Sequence, residues 1–94
     1  MSTIYKLSAQ VPTQYQSRSI QAWGMPITNH GNGMISASMH FDTKKEAVEF
    51  AIRRIKLADC DDAEREISYM ELTGCARIDA CSADIEEIEV IENN

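Results

Sequence analysis

The clearest pattern of apolar and polar positions runs from Asp42 to Leu57. Val48, Ala51, Ile52 and Ile55 recur there at the i, i+3, i+4, i+7 spacing of one helical face, while Lys44, Lys45, Glu49, Arg53 and Lys56 fall largely outside it. Thr43 and Glu46 stand at the spacing of a capping box, in which the threonine oxygen accepts the amide of the third helical residue and the glutamate reaches back to the cap amide. Asp42 is an equally suitable cap one residue earlier. A lone helix cannot hide such a stripe, so the preceding residues must supply a partner surface. Ile4 to Val11 alternates as a strand should, with Tyr5, Leu7, Ala9 and Val11 on one face, until Pro12 and TQYQS break it. A second extended run is predicted over Ser19 to Ile27, with Gln21, Trp23, Met25 and Ile27 on one side and Gly24 and Pro26 marking a bulge or an edge. TNHGNG is the strongest turn signal: Asn32-Gly33 suits a type I′ hairpin, and Gly31 allows a longer loop instead. The third strand, Met34 to Phe41, turns Ile35, Ala37, Met39 and Phe41 towards the helix.

After Leu57 the stretch ADCDDAEREISYMELTG predicts a second helix, capped by Asp61 or Asp62, with acids in its first turn, Ile67 and Met70 on one side, and Gly74 as its stop. A short strand follows around Ala76 to Ala80, and a longer one over Glu86 to Ile91, where Ile88 and Val90 share a face. Ile85, Ile88 and Glu92 would also fit a helix, but the β-branched content of EIEVI favours a strand. The expectation is one domain, residues 1–94, of the α+β class. It is a two-layer fold with an antiparallel sheet of three to four strands (β-β-β-α-α-β) and the central amphipathic helix packed on one face. The other face would carry Trp23, Met25, Ile27 and Met34, and covering it would make the protein a homodimer.

At 94 residues and 44% apolar content the chain can bury a core without metal or disulfide help. No run of eighteen apolar residues and no export leader stands in the sequence, so a soluble, cytoplasmic protein is expected. Cys60, Cys75 and Cys81 are odd in number and form no CxxC pair, which predicts small, buried, reduced thiols.

Charge changes the picture more. Residues 1–58 hold seven basic side chains against three acidic ones, a net +4, whereas residues 59–94 hold two against twelve, a net −10. Such segregation serves solubility or meets a basic partner. The basic helix, with Trp23, Tyr5 and Tyr15 as stacking candidates, suggests nucleic acid, but its cations fit a solvated helix face and the acidic half would cancel the positive potential that phosphate binding needs. No direct nucleic-acid binding is expected.

Chemical motifs are missing. The cysteines, His30 and His40 match no zinc spacing, DCDD lacks the glycine and spacing of a calcium loop, and HGNG is no phosphate loop, so no metal, cofactor or catalytic residue is assigned. A short acidic α+β chain of this kind resembles, in size, charge and absence of chemistry, the small inhibitors that phages make against bacterial defence systems, including anti-CRISPR proteins. That resemblance transfers no residue. It implies a non-catalytic protein that occludes a basic, nucleic-acid-handling partner. The residues expected to make that contact are Asp61, Asp62, Glu64 and Glu66 in the second helix, with Glu86, Glu87 and Glu89 near the C-terminus. The alternative is a homo-oligomeric scaffold or small-ligand-binding subunit.

Overall fold

Strand β1, Ser2–Pro12, is the axis of the molecule because it is the middle strand of the sheet. The computed structural model describes residues 2–15, 18–79 and 81–91. Along one edge β1 lies antiparallel to β3 (Met34–Phe41), from Tyr5 opposite Phe41 to Pro12 opposite Met34. Along the other it pairs antiparallel with β5 (Cys81–Val90), from Ser2 opposite Val90 to Ala9 opposite Ala83. Two short strands complete the sheet, β2 (Ile27–Asn29) outside β3 and β4 (Cys75–Ile78) outside β5. The order is β2-β3-β1-β5-β4, so the α+β expectation holds, with five strands among the described residues in place of three to four.

The helices α1 (Arg18–Ala22), α2 (Lys44–Ala58) and α3 (Ala63–Thr73) cover the face on which Leu7, Ala9, Val11, Ile35, Ala37 and Ala83 are buried. In α2 Thr43 is the cap, its Oγ1 accepting the Glu46 amide at 3.1 Å; the Glu46 carboxylate takes the Thr43 hydroxyl instead of the cap amide. The buried line of α2 is Ala47, Ala51 and Ile55: Ala51 and Ile55 are as expected, Ala47 joins them, and Val48 and Ile52 are half-buried beside it. Alanines at the closest approach let the helix lie near the sheet, a role that hydropathy alone does not signal. Helix α3 ends as expected at Gly74, whose φ of +74° is the left-handed cap conformation and whose amide returns to the Met70 carbonyl at 3.0 Å.

The second extended run is corrected. Ser19 to Ala22 lie in α1, the chain turns at Trp23 and Gly24, and only Ile27 to Asn29 form a strand. Ile20 and Trp23, three residues apart and both fully buried, use helical spacing, whereas Gln21 is exposed. Arg54 of α2 closes this short helix by donating its Nε–H to the Ala22 carbonyl at 2.8 Å, a favourable place for a cation. The hairpin between β2 and β3 takes the longer loop: Gly31 and Gly33 have positive φ, Asn32 does not, and Asn29 and Asn32 accept the amides of Gly31 and Met34.

The short strand begins and ends earlier than expected, at Cys75–Ile78, and Ala80 lies outside the described residues, as does Glu92. The last strand starts at Cys81 rather than Glu86, because Cys81 and Ala83 pack in the core.

The second face is not the apolar one expected: of the four residues assigned to it only Met34, opposite Pro12, lies there. Trp23 and Met25 are in the core under the helices, and Ile27, opposite Ala37, points to the helix side. Around its centre the opposite face presents Lys6, Ser8, Gln10, Ser36, Ser38 and Asp84, with Ile4, Ile88 and Val90 at one end, so the patch of Trp23, Met25, Ile27 and Met34 expected to join two copies is not assembled on it. Among the described residues no helix is long and apolar enough to cross a membrane.

Candidate functional site

The division of charge along the sequence is also a division in space. The basic half contributes β2, β3, β1 and α2, the acidic half β5, β4 and α3, and the seam runs between β1 and β5, where Lys6 stands opposite Glu86. One flank of the molecule therefore collects nearly all of its excess negative charge.

The predicted contact residues occupy two parts of that flank. Asp61 and Asp62 are exposed in the turn between α2 and α3, and Glu64 is exposed in the first turn of α3. Asp62 makes no capping bond; its Oδ2 lies 2.7 Å from the Arg65 Nη2 in an exposed ion pair. Asp59 and Asp79 join this group around Cys60, whose thiol lies 3.8 Å from the Asp79 Oδ1, and the five residues 58–62 with Asp79 line a concavity of about 530 Å³. Sequence spacing missed Asp59 and Asp79 because they arrive from separate turns. The one local signal is that both have positive φ, where Asp and Asn are the commonest residues after glycine. Among the described residues no group of three metal-ligating side chains is arranged to hold an ion.

Glu86, Glu87 and Glu89 lie towards the far end of β5, roughly 20 Å from Cys81 at the rise of an extended strand. All three are exposed, Glu86 on the open face and the other two on the helix side by alternation. Glu66 is corrected: it is only 4% exposed, its Oε1 accepts the Arg77 amide at 2.8 Å, and its Oε2 lies 3.5 Å from the Arg65 Nε. Its carboxylate holds α3 to β4 and is not part of the surface.

Between the two acidic groups α3 exposes Tyr69 at 48% and Leu72 at 82%. On the basic side, Trp23 is fully buried with its Nε1–H donated to the Cys81 carbonyl at 3.2 Å, and it is not available to stack on a base.

The three thiols differ more than expected. Cys81 is buried, Cys60 half-buried and Cys75 exposed, so only the first is the small core residue predicted for all three. Burial pushes the Cys81 thiol up to about 11, and burial with the nearby Asp79 carboxylate raises that of Cys60. At pH 8 roughly one Cys81 in a thousand is then thiolate, the reactive form. Titration of the folded protein with a chromogenic disulfide reagent is expected to find Cys75 reacting first, Cys60 more slowly, and Cys81 only on unfolding. Equal rates for all three would contradict this packing.

A scan against protein-family models and searches of curated proteins and of solved structures found nothing that matches this chain.

Proposed function

We propose that this protein is a non-catalytic binding protein whose acidic flank, formed by β5, β4 and α3, seats in a basic surface of a protein partner that handles nucleic acid and blocks it stoichiometrically. The observation that carries this reading is the sheet order, which keeps the acidic half contiguous instead of interleaving it with the basic half. Glu86, Glu87 and Glu89 lie roughly 20 Å along β5 from Cys81, about the length of six base pairs of duplex, so the flank offers a groove charge at a comparable scale. Leu72 and Tyr69 between them supply apolar anchors, which charged contacts alone lack. Charge of this kind mainly speeds encounter, by about 10 to 10³, and weakens as salt shortens the screening length.

The test is capture of partners from a bacterial lysate, followed by kinetics on the purified pair. Neutralising Asp61, Asp62 and Glu64 together with Glu86, Glu87 and Glu89 is expected to slow association at least about tenfold at low salt and to leave dissociation nearly unchanged. Leu72→Ala is expected to speed dissociation instead. Duplex DNA should displace the partner. Recovery of the chain alone, or a partner indifferent to these six changes and to salt, would sink the proposal.

A further inference from the structure

The sheet face turned away from the helices holds a site lined by none of the six acidic contact residues. Pairing sets Ser36 beside Gln10, and in the next row Ser38, Ser8 and Asp84 lie side by side across β3, β1 and β5. Exposed strand faces are ordinarily dressed with threonine and longer side chains; here serines, with Ser82 a fourth, leave the middle of the sheet low. The longer side chains of Lys6, Gln10 and His30 stand around it, and the result is a trough of about 510 Å³, within the size range of small-molecule sites.

Its rim is positioned. The His30 Nε2 lies 2.6 Å from the Ser36 Oγ, and the loop carrying His30 is pinned by the Asn29 and Asn32 side-chain bonds. Across the β1–β5 seam the Ser8 hydroxyl donates to the Asp84 Oδ1 at 3.4 Å. Among the described residues Lys6 enters no ion pair, although Glu86 is its cross-strand neighbour.

The lining discriminates between ligand classes. Its floor is made of serines, and the only ring in the lining is the His30 imidazole at the rim, tied to the Ser36 hydroxyl, so a nucleobase finds no pair of rings to stack between. Lys6 and Asp84 balance in charge, which leaves no fixed cation in excess for a phosphate, and a chain of net charge −6 repels polyanions. What the trough offers is groups that both donate and accept: the serine hydroxyls and the Gln10 amide, with Asp84 able to accept from two adjacent hydroxyls and Lys6 to donate. From β3 to β5 it is two strand spacings wide, roughly 10 Å, the width of one ring with its hydroxyls. We propose that this trough binds a neutral polyol the size of a single sugar ring, oriented by Asp84 and Lys6, without the six carboxylates of the proposed partner contact.

The experiment is amide-detected NMR titration of the full chain with glucose, galactose, mannose and myo-inositol, with inorganic phosphate and adenosine monophosphate as contrasts. At least one polyol is expected to give saturating shifts at Ser8, Ser36, Ser38 and Asp84 with a dissociation constant of about 1–10 mM, and neither contrast is expected to saturate. Asp84→Ala and Ser38→Leu should each weaken that binding at least about tenfold while the amides of α2 stay in place, which shows the fold intact. Saturation by phosphate or the nucleotide in place of a polyol, no saturation with any polyol, or unchanged affinity in both variants would overturn the proposal.

Discussion

Replacing Trp23 by alanine is expected to cost about 3–5 kcal/mol, a large share of the roughly 5–15 kcal/mol that holds a domain of this size folded. The indole is fully buried where α1 meets the sheet, so truncation leaves a cavity that the short helix above it cannot collapse to fill. It also leaves the Cys81 carbonyl without the donor that reaches it at 3.2 Å. Trp23→Phe keeps most of the ring but not the N–H and should cost less, about 1–3 kcal/mol, as expected for a buried acceptor losing its partner. Urea unfolding followed by far-ultraviolet circular dichroism measures both. A loss under about 1 kcal/mol for the alanine variant would mean that Trp23 does not hold α1 to the sheet.

The second large effect is expected at Glu66. An edge strand offers unpaired amides to other chains, and β4 is an edge; α3 takes up two of them, Glu66 accepting from Arg77 and the Thr73 hydroxyl from Cys75 at 3.3 Å. Glu66→Ala removes a charge-assisted bond worth about 1.5–3 kcal/mol and uncovers that edge. Thermal unfolding should show the loss, and light scattering should show larger species that the parent protein does not form. Glu66→Gln retains an acceptor and should lose less than half as much stability. An alanine variant as stable and as dispersed as the parent would refute the edge-blocking role.

Much of this architecture was legible because its signals are local. Thr43 and Glu46 mark the start of α2 by their own spacing, Gly74 ends α3, and the alternation of Leu7, Ala9 and Val11 gives β1 its buried face. Where reading failed, the deciding partner lies far away in the chain. The stretch Gln21, Trp23, Met25, Ile27 alternates well enough for a strand, and the Arg54 that closes α1 is 32 residues from the carbonyl it meets. The first half of β5 was hidden because Cys81 and Ala83 are too small to register as a hydrophobic stripe, yet they lie where Trp23 crowds the sheet. At the candidate site, the exposure of Asp61, Asp62 and Glu64 follows from their place at the start of an amphipathic helix. The burial of Glu66 depends on an amide from β4, and the gathering of Asp59 with Asp79 depends on two separate turns, so neither could be read from spacing.

The central place of β1 has a kinetic side. Of the five described strands this one comes first, but one of its two partners, β5, comes last, and Ser2 ends up beside Val90. Closing that pair means drawing together residues separated by every other described element before any contact between them is gained, which is the situation that slows folding most. Until it happens, the β2-β3-β1 portion presents the long edge of β1 to its surroundings, with Leu7 and Ala9 still lacking their neighbours on β5. The strand that is most protected in the finished protein is thus the one most exposed to mispairing while the chain is being made.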